Sequence, residues 1–127
     1  MAYTHVDKPI RIGGIELKNR VVRPAHATVL GKGTMNDALI AYHEARARGG
    51  AALSILEVGS VHFTSAFSLN LFDPAIEGGM RKLVDTIAPH GMKLLQQLWH
   101  AGHHILPADG SPPWAPSDVP SVETGVV

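Results

Sequence analysis

Cysteine is absent from this 127-residue chain. With it go disulfides, thiolate nucleophiles, cysteine-ligated iron–sulfur clusters and cysteine-based zinc sites anywhere within the chain. Net charge is absent as well, since eleven basic residues balance eleven acidic ones without any basic run. That removes the electrostatic footprint of a nucleic-acid or anionic-membrane surface. No apolar stretch approaches the roughly 18 residues of a membrane span, and the opening MAYTHVDKPI carries no signal-peptide core. The expectation is a cytoplasmic protein without a nucleic-acid or membrane partner. What remains is 45% apolar and 17% charged, the balance of a folded soluble chain rather than a disordered one.

Residues 10–19 alternate apolar and polar side chains around Gly13 and Gly14, which are expected to supply the positive φ angles of a hairpin turn. Val21 and Val22, closed off by Pro24, suit a brief buried strand, because proline cannot donate to a central ladder. Asn36 is a candidate N-cap for a helix with Asp37 in its first turn and Ala38, Ala41, Tyr42 and Ala45 at helical spacing. Arg46 and Arg48 lie near its end, and Gly49 is expected at the left-handed C′ position. Residues 51–60, AALSILEVGS, form a nearly continuous apolar run, the pattern of a strand covered on both faces in a parallel sheet.

A stretch of about fifteen residues, 60–74, then reads as a loop long enough to be functional. Met80, Leu83, Val84 and Ile87 mark one face of a second helix, ended by residues 89–91. Residues 92–102, MKLLQQLWHAG, are the next buried strand. A hairpin followed by alternating strands and helices predicts a parallel α/β sheet with right-handed crossovers. Three strands and two helices fall far short of the about 250 residues of a closed eight-unit barrel, so half a barrel is present at best. Such a piece has open sheet edges. The proline-rich end, SPPWAPSDVPSVETGVV, reads as a chain stopping within a loop, so the missing part is expected from other polypeptide.

The stretches IELKNRVVRPAHAT, YHEARARGGAALSILEVGSV and QQLWHAGHH together resemble the old yellow enzyme family, over about Lys8 to Ser121. RPAHAT and QLWHAGH are nearer its 2,4-dienoyl-CoA reductase and trimethylamine dehydrogenase branch. The resemblance implies that residues 1–127 are the N-terminal segment of a single FMN-binding (β/α)₈ TIM-barrel domain. It also implies an oxidoreductase in which NAD(P)H gives hydride to the flavin, which exchanges it with an enone-type or amine-type small-molecule substrate. The remaining barrel polypeptide, and assembly as an oligomer, are the implied partners. An iron–sulfur cluster would belong only to downstream polypeptide.

All three marked stretches are strand ends, where ligands of parallel barrels sit. By the same resemblance, Pro24, Ala25, His26 and Ala27 run along the flavin ring and offer backbone amides to its polar edge. Gly59 would allow close backbone approach, and Gln97 would donate to and accept from the pyrimidine edge. Ala27 stands where several relatives carry cysteine or threonine, which excludes covalent attachment through this side chain. Thr28, one residue on, is an alternative hydroxyl. No catalytic acid is expected within the chain.

His100 is expected at the mouth of the pocket as a substrate contact. His100, His103 and His104 also invite a zinc-site reading, but no helix sets their spacing and only Asp109 adds a carboxylate nearby, so no metal is expected. His26 is either a ligand contact or a structural imidazole, and Glu57 a base, a ligand-orienting group or, more commonly at a barrel top, a carboxylate paired with a neighbouring arginine. Of Gln96 and Gln97 only one points into the barrel. Trp99 and Trp114 read as packing residues. The two competing functions are a non-catalytic barrel-scaffold subunit and, further off, a small histidine-rich metal module.

Overall fold

The computed structural model describes residues 3–126. Strands β1 (Ile10–Ile12) and β2 (Ile15–Leu17) form an antiparallel hairpin pairing Ile10 with Leu17. Only Gly13 of the turn adopts a positive φ, +55°. Strand β3 (Val22–Arg23) runs parallel to β4 (Leu53–Ser60), which also pairs in parallel with β5 (Leu69–Asn70) and β6 (Lys93–Trp99). Helices α1 (Asp37–Arg48) and α2 (Ile76–Ile87) make the crossovers. This is the expected hairpin, three principal parallel strands and two helices. Residues 60–74 hold more order than a loop, however. A 3₁₀ turn at Phe63–Ser65 precedes β5, whose pairing with the end of β4 closes the excursion.

Asn36 caps α1 as its sequence position predicts, its Oδ1 accepting from Leu39 N at 3.0 Å. The buried face of α1 is not the predicted one. Leu39, Ile40, His43 and Ala47 face the sheet, whereas Ala38, Ala41 and Ala45 are exposed. Small alanines tolerate either environment, and the two large aliphatics decide the rotation because their burial is worth more. Gly49 is not left-handed either, with φ −71°; the left-handed residue is Gly50, φ +96°. Helix α2 buries Ile76, Leu83 and Ile87 but leaves Val84 exposed. A 3₁₀ turn, Ala88–His90, and left-handed Gly91 then end it.

One apolar cluster, including Leu39, Ile40, Leu56, Leu69, Leu83 and Ile87, fills the space between helices and sheet. A smaller one, Leu17, Ala52 and Leu53, lies where the hairpin meets the start of β4. The opposite face of the sheet is open. Val22 and Leu95, with the hairpin residues Ile12 and Ile15, border an apolar hollow of about 270 Å³ and remain substantially exposed. Among the described residues no helix is long and apolar enough to cross a membrane.

His43 fastens α1 to the sheet. It is fully buried, with Nδ1 3.1 Å from Ser54 Oγ on β4, while Nε2 has no partner. Burial, reinforced by the Arg23 and Arg46 charges and only partly opposed by Glu57, lowers its pKa from 6.5 to about 4. The folded state therefore holds a neutral imidazole that the unfolded chain protonates near pH 6.5. This contribution is complete above that pH and declines as pH falls toward about 4. We predict that the thermal midpoint drops across this interval and that His43→Gln flattens the decline. An equal slope in the two proteins would refute the assignment.

Candidate functional site

The ends of β3, β4 and β6 bring the marked residues to one rim of the sheet. On β4, Leu56 pairs with Gln96 and Gly59 with Leu98, so β4 carries one more residue than β6 across this interval. The resulting bulge frees the carbonyl of Glu57, and Gln96 Nε2 donates to it at 2.8 Å. Gln96 is thereby committed to the sheet itself. Gln97 projects from the other face, the one shared with Leu95, and is exposed there. Strand alternation thus gives the two adjacent amides different tasks.

Glu57 belongs to the interior rather than to the rim surface. Its side chain is fully buried, with Oε2 accepting from Thr28 N at 2.7 Å and Oε1 accepting from Ser68 Oγ at 2.5 Å. Burial by itself would raise its pKa; the hydrogen bonds from Ser68 and Thr28 and the Arg23 charge outweigh that and hold it below the usual carboxylate value. Neither the base reading nor direct pairing with an arginine fits it, which leaves the orienting role. A stably ionised carboxylate below its normal range is a poor general base near neutrality, and its direct partners are a backbone amide and a hydroxyl.

Residues 24–27 leave β3 without regular structure, Pro24, His26 and Ala27 exposed and Ala25 half-buried. Arg23 supports this path, donating from Nη1 to Ile55 O at 2.8 Å and from Nη2 to His26 O at 2.7 Å. The Thr28 hydroxyl accepts from Leu30 N at 3.2 Å, which occupies it locally. Among the described residues, neither the N–H nor the C=O of Ala27 has a hydrogen-bond partner.

At Gly59, the expected close approach has an occupant inside the protein. A Cβ there would come within 2.4 Å of Leu71 Cδ1 and 2.7 Å of Gln96 Nε2. The absence of a side chain is thus required by the packing of Leu71 and Gln96, whatever else the backbone meets. His100 is engaged on both sides of its ring. Gly102 N donates to its Nδ1 at 3.0 Å, so Nε2 carries the proton and donates to Thr64 Oγ1 at 3.0 Å. Thr64 in turn donates to His62 Nδ1 at 2.9 Å. Both ring nitrogens are used within the protein, and the imidazole orders the β6 exit.

Trp114 stacks on His100 with ring centroids 5.7 Å apart and lies 4.2 Å from His62. The packing role expected for it therefore falls on imidazoles. His103 and His104 meet edge to face, and His104 Nδ1 sits 3.4 Å from Glu123. Together with His100 they border a cleft of about 490 Å³ beneath residues 116–122. Among the described residues no group of three potential metal ligands converges.

Sequence reasoning missed Arg23, Ser68 and the pair His62 and Thr64. Arg23 carried a readable signal, a cation placed directly at the end of a buried strand and before a proline. The other three sit in the long loop, where only the concentration of hydroxyl residues pointed to side-chain-to-backbone bonding.

A parallel sheet with a hairpin at one end, helices on one face, an open inner face and an amide and free peptide groups at its strand ends defines a segment of a ligand-binding TIM barrel. The chain belongs to the NADH:flavin oxidoreductase / NADH oxidase family, whose pattern matches residues 6–126. It is 38% identical over 118 residues to an NADH oxidase of Thermoanaerobacter brockii, covering 87% of this chain and 18% of that protein. Among solved structures it is similar to an old yellow enzyme from a Pichia species, with TM-score 0.83, 27% identity and coverage of 97% of this chain and 34% of that one. A histamine dehydrogenase from a Rhizobium species matches with TM-score 0.79 and 27% identity, over 91% of this chain and 18% of that one. The chain thus spans about a fifth of the curated NADH oxidase and a third of the old yellow enzyme barrel.

The packing at Gly59 makes a sharp prediction. Gly59→Ala destabilises the protein by about 1–3 kcal/mol through overpacking, and Leu71→Ala in the same chain recovers part of the loss because the nearest atoms are those of Leu71. Denaturant midpoints of the single and double variants measure both. An additive double variant would show that Leu71 is not what Gly59 accommodates.

Proposed function

We propose that this chain is the N-terminal part of an FMN-dependent, NAD(P)H-using oxidoreductase, completed by further barrel polypeptide, and that it forms one side of the flavin site. The observation carrying this reading is the division between the two amides. Gln96 gives its Nε2 to the β4 bulge and keeps its Oε1 buried without a partner, while Gln97 stands on the open inner face at the strand end, where its side chain can both donate and accept. The free peptide groups of Ala27 and the exposed backbone of residues 24–27 suit the polar edge of a planar ring in the same way.

These residues suit the polar edge of a flavin ring, and the family resemblance places the phosphate-binding loops after later strands of the barrel. The phosphate site, the substrate-anchoring pair and the proton donor then belong to the remaining polypeptide. When bound, FMN supplies hydride transfer to or from carbon or nitrogen substrates. This chain's part is to hold and orient the ring: Gln97 and the backbone at Pro24, Ala25, His26 and Ala27 by hydrogen bonds, Gly59 by keeping β4 close to Gln96. With both ring nitrogens of His100 engaged, the substrate contact expected there passes to other groups.

An enone-type or amine-type small molecule is the substrate class favoured by the branch that RPAHAT and QLWHAGH resemble. A non-catalytic scaffold would have no use for an amide displayed on an inner barrel face, which argues against that alternative. The test is spectroscopic. Co-expressed with the polypeptide that completes the barrel, the chain is expected to give a yellow complex containing FMN, and Gln97→Leu to weaken FMN binding about ten-fold, the size of one good hydrogen bond. A colourless complete barrel that cannot be reconstituted with FMN would overturn the proposal.

A further inference from the structure

The strongest unassigned feature is the pair of charged side chains beneath residues 24–28. We infer that Arg23 and Glu57 are positioning residues that aim both peptide groups of Ala27 out of the protein and toward the ring. The inference rests on the flavin reading above and adds to it the means by which that edge of the site is set.

The geometry is that of two successive peptide planes. Each is trans, and in a trans peptide the C=O and N–H point in opposite directions. Arg23 Nη2 holds the His26 carbonyl at 2.7 Å, so the N–H of the same peptide, that of Ala27, points away from Arg23. Glu57 Oε2 holds the Thr28 N–H at 2.7 Å, so the carbonyl of that peptide, that of Ala27, points away from Glu57. A cation grips one side of Ala27 and an anion the other. What Ala27 then presents is a donor and an acceptor side by side, with no partner among the described residues.

Two further observations fit the inference. Glu57 is itself anchored by Ser68 and fully buried, and Arg23 is braced by the Ile55 carbonyl, so neither grip is free to swing. Immediately beyond the gripped segment Val29 adopts φ +58°, a left-handed conformation that a β-branched residue avoids unless its surroundings impose it. The bond from Thr28 N to the buried carboxylate is the adjacent constraint that would impose it. The backbone is therefore held against its local preference at the point where the proposed ring edge lies.

The test uses the complete barrel and reads FMN dissociation, the visible spectrum and the reduction potential of the bound flavin. Glu57→Ala leaves Thr28 N–H without its acceptor and is expected to weaken FMN binding about ten-fold or more and to shift the potential of the flavin that remains. Glu57→Gln keeps an acceptor for Thr28 and a donor for Ser68, and is expected to stay within about three-fold of the parent. Wild-type affinity and potential in Glu57→Ala, or equal damage in Glu57→Gln, would overturn the inference. If Glu57→Ala does not fold, Arg23→Met, which releases the His26 carbonyl, is judged by the same two readouts. A parent barrel that binds no FMN removes the flavin reading itself, whereas a flavin-loaded parent with indifferent variants removes only the positioning role.

Discussion

A dry carboxylate is the constraint on which the rim of this structure depends. Glu57 lies within β4, the strand that pairs with β3, β5 and β6, and its side chain is sealed from solvent. An ionised carboxylate in such a place is stable only if its oxygens are satisfied, because leaving a buried charge uncompensated costs several kcal/mol, on the order of 3–5. Satisfaction comes from two separate loops, Thr28 after β3 and Ser68 before β5. The charge therefore adds to the backbone bonds that Gly33 makes with Ser68 and Asn70 in tying these two segments together. The loops at a strand-end rim need such ties, since they cannot be held by a core of their own.

The bulge at the same point on β4 has a second consequence. An extra residue re-aims the following side chains, and the carbonyl it frees takes the Gln96 amide. With Gln96 retained on the helix side, Gln97 and Leu95 face inward. The inner face is apolar near the hairpin and polar toward the rim. That gradient is what a barrel interior requires when it is packed at one end and binds a ligand at the other. It also explains why so many aliphatic side chains, Leu95, Val22 and Ile12 among them, remain exposed here. A patch of this kind, beside the unpaired edge of β6, is an association surface until further strands cover it.

Much of the architecture was legible in the sequence, because it follows from runs of residues rather than from single contacts. The apolar run of β4, the Asn36 cap and the placement of the hairpin all survive as expected. The failures are local and have physical reasons. The rotation of α1 was misread because alanines at helical spacing imitate a buried face, whereas Leu39 and Ile40 carry the larger burial energy. Strand β5 was hidden since two residues leave no periodic signal. At the site, alternation limited the inward-facing amide to one of Gln96 and Gln97 and the family resemblance chose Gln97, but the engagement of His100 with Thr64, 36 positions away, left no signal. Pairings at such separation leave no trace in a single sequence.

The distribution of rigidity is then informative about the division of labour within the domain. Side-chain hydrogen bonds cluster under residues 24–28 and at the β6 exit, where His62, Thr64 and His100 form a half-buried chain closed by Trp114. Non-glycine residues in left-handed backbone, Val29 and Lys32, also fall within this part of the chain. Strain persists only where the surroundings over-determine it, so this rim is built to hold one shape rather than to adapt. On the proposed reading, a fixed rim suits a prosthetic ring that keeps one place. Substrate recognition, which needs room to vary among relatives as different as an NADH oxidase and a histamine dehydrogenase, is better left to loops that other strands carry.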